Sequence, residues 1–382
     1  MIGWETSLLV ERPMAETGAG ASPPAVLGQE DDRGAHVHLF IKTLVLALGV
    51  AALAGSASAE GRPLLGVACK RPALCSSAGC TPAELANTGN AIEPKTGRRF
   101  FLDYPCDLKP GDKVVFVLLL HGAGSTGEWV RRYFPAVNDK EKYRLVVATP
   151  TAAGGGPTPV RMWLADADDA YLRNISDMVI NAIGRPNIRS FWLAGHSQGG
   201  LTVNRIVCSD YFRGKADGWL SLSGGRIGSA PLNPDFFKGL NLKGFPPGAG
   251  PPGGAPGVAV TPVCDFNFIF ATGQHEILSL PQTSPWADRY ACGLRRREPD
   301  VVDDRPGIAD AGPKPGPPNL AQGTTARPGT AEVLVYPGCR DGRLVADVVR
   351  RDKGHTEGLE PHVTDKLVQL MVAAPGGKLQ KE

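Results

Sequence analysis

Gly195-His196-Ser197-Gln198-Gly199-Gly200 holds the residues best suited to covalent chemistry. A serine hydroxyl is a weak nucleophile until a base takes its proton, and that base needs an acid to hold its tautomer. The pattern Gly-x-Ser-x-Gly is a sharp strand-to-helix turn that lifts the serine side chain above a sheet, with glycines where a side chain would collide. Five-residue patterns recur by chance, so context decides. Here the apolar run Ser190–Ala194 precedes the turn and reads as a buried strand, while Leu201–Val207 reads as a helix.

The remaining partners follow from chain order, serine then acid then histidine. After Ser197 only His275, His355 and His362 remain. His355 lies in Lys353-Gly354-His355-Thr356-Glu357-Gly358, a glycine-flanked loop between the last strand and the last helix, where a general base belongs. His362 reads as a polar-face helix residue. Glu276, in the loop after the strand ending at Gly273, is the expected acid. Asp288 is its alternative, and Asp265 falls at the start of that strand. A tetrahedral oxyanion needs preorganised N–H donors. Gln198 is expected to supply one, and His121-Gly122-Ala123-Gly124 the other, from Ala123 or else from Gly124. His121 precedes Ser197 and reads as a structural loop histidine.

These groups require a sheet whose strands end together. Val114–Leu120 is continuously apolar, the signature of a strand buried on both faces of a parallel sheet. Further strands are predicted at Phe100–Tyr104, Tyr143–Ala148, Asp217–Gly225, Cys264–Gly273, Ala331–Tyr336 and Arg343–Arg350. Helices are predicted around Gly127–Phe134, from Asp166 to Gly184 and from Pro361. In the second of these, Tyr171, Leu172, Ile175, Met178, Val179, Ala182 and Ile183 share one face. The alternation predicts an α/β fold, a mostly parallel sheet flanked by helices, with functional groups at the carboxyl ends of the strands. Residues 228–262 and 299–330 are dense in glycine and proline and read as insertions. Trp129, Trp163 and Trp286 fall in predicted loops near the mouth of the site, either as an apolar acyl or aromatic subsite or as ordinary buried rings.

The chain has 382 residues, with room for one large domain or two. A net charge of +3 with no basic block argues against a nucleic-acid partner. Thr43–Ala54 is apolar but short for a membrane span; Lys42 precedes it and Ala57-Ser58-Ala59 follows. This predicts a signal peptide within 1–59 cut after Ala59, an upstream extension whose true start lies near Val37, no stable membrane anchor, and a secreted or periplasmic product. Residues 60–99 read as a cysteine-containing extension and 100–375 as the catalytic domain. All 8 cysteines lie beyond the cut, an even set that reads as disulfides of open connectivity. Cys75-x4-Cys80 is a weaker candidate for half a metal site, and neither metal nor organic cofactor is expected.

His121-Gly122-Ala123-Gly124, Gly195–Gly200, Gly273-x-x-Glu276 and Gly354-His355-Thr356 together resemble the α/β-hydrolase superfamily. Over about Phe100 to Ala374 the chain is similar to secreted esterases grouped with polyhydroxybutyrate depolymerases and feruloyl esterases, although that group more usually has Asp as the acid. The resemblance implies an α/β-hydrolase fold and an exported serine hydrolase acting on carboxylic esters, aromatic or polymeric ones included. Polyester depolymerase, peptidase and acyltransferase chemistry on the same residues are alternatives, as is a non-catalytic binding protein that keeps the fold.

Overall fold

The computed structural model describes residues 63–69, 90–154, 160–228, 230, 231, 233, 261–305, 307 and 329–381. The expected leader 1–59, Cys75, Cys80 and most of both insertions lie outside the described residues.

Among the described residues eleven strands form one sheet: β1 (Asn90–Ile92), β2 (Arg99–Asp103), β3 (Val114–Leu120), β4 (Leu145–Pro150), β5 (Ile188–His196), β6 (Gly218–Leu222), β7 (Asn267–Gly273), β8 (Arg296–Arg297), β9 (Val301–Val302), β10 (Thr330–Tyr336) and β11 (Val345–Arg350). The spatial order is β1-β2-β4-β3-β5-β6-β7-β11-β10-β8, with β9 also on β10. From β4 to β11 every pairing is parallel. The flanking strands are antiparallel, and β10 and β11 pair as a hairpin. Among the described residues the helices are α1 (Gly127–Tyr133), α2 (Lys140–Tyr143), α3 (Ala165–Ile183), α4 (Gln198–Ile206), α5 (Pro285–Arg289) and α6 (Pro361–Ala373).

The composition of β3 explains why the sheet is covered on both sides. All seven side chains are fully buried. Val114, Phe116, Leu118 and Leu120 point to one face, where Tyr171, Leu172, Ile175 and Val179 of α3 and Val203 and Ile206 of α4 pack. Val115, Val117 and Leu119 point to the other, against Val130 and Tyr133 of α1 and Val363, Leu367 and Met371 of α6. Alternation along a strand produces two cores from one apolar run. Each such side chain removed from water contributes about 1.5–3 kcal/mol.

Local signals set the helix ends. Thr126 accepts from the Trp129 N–H and caps α1. In α3 the buried Asp168 accepts from the backbone of Leu164, Asp168 and Asp166 stand in the dipole-favoured first turn, and Gly184 ends the helix at φ +86°. Pro361 opens α6, where its missing N–H costs nothing.

Cysteine pairs lock the periphery: Cys69 with Cys106, Cys208 with Cys264, and Cys292 with Cys339. The first ties residues 63–69 to the segment after β2, where the Tyr104 hydroxyl also accepts from Leu64 N–H and donates to Val67 O. No helix among the described residues is long and apolar enough to cross a membrane.

Candidate active site

Ser197 sits between the end of β5 and the first residue of α4. Its backbone is at φ 52°, ψ −122°, a left-handed conformation costly for a residue with a Cβ. The crowding around it accounts for the glycines. A Cβ on Gly195 would lie 2.4 Å from the Gly199 carbonyl carbon, and one on Gly199 would lie 2.5 Å from the carbonyl oxygens of Leu120 and His121. The Ser197 N–H donates to Leu222 O at 2.8 Å, which ties the turn to β6. This strained strand-to-helix turn has the geometry expected of a nucleophile elbow.

The loops after β7 and β11 bring the acid and the histidine to this turn. Ser197 Oγ lies 2.8 Å from His355 Nε2, and His355 Nδ1 lies 2.7 Å from Glu276 Oε2. A carboxylate only accepts, so Nδ1 carries the proton and Nε2 is left to accept from the serine. His355 and Glu276 are buried, whereas Ser197 is partly exposed. Glu276 Oε1 accepts from Gly273 N–H at 2.7 Å and from Ser223 Oγ at 2.8 Å. Burial alone pushes this carboxyl up. The His355 ring and the donors from Gly273 and Ser223 outweigh it and hold Glu276 below the usual carboxylate range. Asp288, the alternative acid, is exposed on α5, and Asp265 pairs with Arg289.

The loop after β3 faces the elbow from the other side. Gly124 N–H is committed to Arg161 O at 2.8 Å. Ala123 N–H meets no acceptor among the described residues. Of the two expected donors in this loop, Ala123 is therefore the available one. The Gln198 side chain binds the backbone of Trp163 in both directions, at 3.2 Å from Trp163 N and 3.1 Å from Trp163 O. Trp163 Nε1 in turn donates to His121 O at 2.8 Å. These bonds fasten the oxyanion loop, the 161–163 segment and the elbow to one another.

His121 is buried, donates from Nδ1 to Gly122 O and accepts at Nε2 from Ala152 N–H, which makes it a loop brace. His362 lies at the start of α6 beside Glu360. Two of the three tryptophans do not line the mouth. Trp163 is buried, and Trp286 lies on α5, stacked on Phe266, fully inside the core. Trp129, on α1, stays partly exposed with its ring centroid 5.1 Å from that of His196. A Pro at the first position of α5 and a Ser284 cap were the available signals for that short helix.

His196 was not singled out as a functional residue by its sequence context. It is buried under Tyr133 and His355, with ring centroids 4.2 and 4.7 Å away, and its Nε2–H donates to the His355 carbonyl at 2.9 Å. Its Nδ1 meets no partner among the described residues. Burial pushes His196 down to about 3 and His121 down to about 4. Both rings are neutral in the folded protein and take protons on unfolding below their ordinary value of about 6.5. Stability is thus complete above that pH and is lost as the pH falls toward 4 and 3, by about 1.4 kcal/mol per pH unit for each ring. Urea midpoints are expected to fall between pH 7 and pH 5. A flat profile would contradict the neutral, buried state of these rings.

No protein-family model and no curated protein matches the sequence. Among solved structures, acetyl xylan esterase from Aspergillus awamori is similar at 12% identity, over 73% of this chain and 96% of that one, with a TM-score of 0.40. S-formylglutathione hydrolase (FrmB) from Staphylococcus aureus is similar at 15% identity, over 48% of this chain and 78% of that one, with a TM-score of 0.34. Est1E from Butyrivibrio proteoclasticus is similar at 16% identity, over 36% of this chain and 48% of that one, with a TM-score of 0.23. Similarity at this level names no substrate.

Proposed function

We propose that the protein is a serine hydrolase of carboxylic esters. The observation that supports this best is the unbroken chain Ser197 Oγ–His355 Nε2 and His355 Nδ1–Glu276 Oε2, at 2.8 and 2.7 Å, on a strained elbow. His355 takes the proton of Ser197 as the hydroxyl attacks the ester carbonyl. The developing oxyanion is held by the N–H groups of Ala123 and Gln198 at the N-terminus of α4, where the helix dipole also favours negative charge. Collapse of the tetrahedral species expels the alcohol, which His355 protonates. Water, activated by the same ring, then releases the acid and frees Ser197. Glu276 stays ionised throughout and stabilises the imidazolium.

Export is part of this reading. The three cysteine pairs suit an oxidising compartment, and the apolar segment Thr43–Ala54 suits a cleaved leader. The chain beginning at Glu60 is expected to hydrolyse p-nitrophenyl acetate with saturation kinetics and to release acetate even with methanol present. Partition mainly to methyl acetate would make it an acyltransferase, and turnover of p-nitroanilides a peptidase. No turnover of any acyl substrate would contradict the reading.

A further inference from the structure

Ser223 follows β6 directly and is neither nucleophile, base nor acid in the reaction proposed above, yet its conformation is unusual. It is a non-glycine residue at φ 54° in a chain that continues Gly224-Gly225. Left-handed backbone is unfavourable for an L-residue and free for glycine. A serine kept at such a point calls for a reason in its side chain. The backbone is fixed there because Ser223 N–H donates to Ala271 O at 2.7 Å, which ties the ends of β6 and β7 together. From that position the Ser223 hydroxyl reaches Glu276 Oε1 at 2.8 Å, the oxygen turned away from His355.

We propose that Ser223 is a positioning residue that holds the Glu276 carboxylate in its ionised form and aims Oε2 at His355 Nδ1. This rests on the ester-hydrolase reading for its consequence in turnover, though not for the interaction itself. A carboxylate buried this deeply needs donors on both oxygens. Gly273 N–H supplies one to Oε1, and Ser223 supplies the second with a charge-assisted bond. A glutamate has one more rotatable bond than an aspartate, so two donors converging on one oxygen fix the rotation that would otherwise be free.

His355 faces Glu276 from the loop after β11, where Lys353 lies 3.5 Å from Glu357. His196, at the end of β5, is neutral. His275, on the same turn as Glu276, lies 3.7 Å from Asp352. Arg226, beyond Ser223, is engaged with Asp347. Among the described residues Ser223 is thus the side chain that adds a donor to Oε1.

Removing the hydroxyl makes the anion less stable, so the Glu276–His355 pair binds its proton at higher pH. Ser223→Ala and Ser223→Gly are both expected to move the acid limb of the kcat/KM profile upward by about one pH unit. Both should lower kcat about tenfold at neutral pH with KM unchanged. Ser223→Gly relieves the left-handed φ that Ser223→Ala keeps, so its thermal midpoint is expected at or above that of Ser223→Ala. This separates the hydroxyl from the backbone. The downfield proton resonance of His355 Nδ1–H in the intact protein is expected to change position in both variants, a readout that needs no substrate. A wild-type protein inactive on esters would overturn the ester-hydrolase reading while the position of the proton resonance still tests Ser223. An unmoved resonance and a wild-type pH profile in Ser223→Gly would overturn the role assigned to Ser223.

Discussion

Ser197→Ala is expected to lower kcat for p-nitrophenyl acetate by about 10⁶-fold with the fold intact, as follows when a nucleophile that acts as one unit with its base is removed. The substitution keeps the Cβ and the backbone. The elbow is held by neighbours that the hydroxyl does not touch, including the Ser197 N–H bond to Leu222 O and the close approach of Gly199 to the carbonyls of Leu120 and His121. Circular dichroism and the urea midpoint should therefore match those of the wild type. Turnover above about one part in 10³ of the wild-type rate would place the chemistry elsewhere.

Glu276→Gln is expected to lower kcat by about 10⁴-fold, and the geometry gives the reason. Gly273 N–H and the Ser223 hydroxyl both donate to the Oε1 position, so the amide oxygen must sit there. The amide NH2 then faces His355 Nδ1 and forces that nitrogen to accept. The proton moves to Nε2, which meets Ser197 as a donor and no longer as a base. Asp288→Asn, on exposed α5, is expected to leave kcat within about twofold, since a surface carboxylate outside the chain of hydrogen bonds has little leverage. The reverse outcome would exchange the two acids.

Residues acting through short-range pattern were readable from the chain. The apolar run of β3 matched its strand, the acid-led amphipathic stretch became α3, and the elbow glycines pointed to Ser197. The placing of Glu276 and His355 beside Ser197 was readable because chain order limits where a candidate acid and base can fall. What was hidden depended on distance in sequence. His196 holds the His355 carbonyl across 159 residues, and Ser223 reaches Glu276 across 53. Neither contact leaves a periodicity. The φ of Ser223 is set by the convergence of β6 and β7, so its small polar side chain looked like any residue at the end of a strand. Trp286 was expected in a loop because α5 spans only five residues, too few for a helical period to register. The pairing of Cys69, Cys208 and Cys292 with Cys106, Cys264 and Cys339 likewise follows from the folded chain, since spacing alone allows many connectivities.

In the proposed reaction Ser197 is a nucleophile activated by His355. Labelling the intact protein with a fluorophosphonate and mapping the adduct by peptide mass spectrometry tests it directly. The expected result is one adduct per chain, on Ser197, absent from Ser197→Ala. An adduct on another serine, or no reaction by a folded wild-type protein, would contradict it.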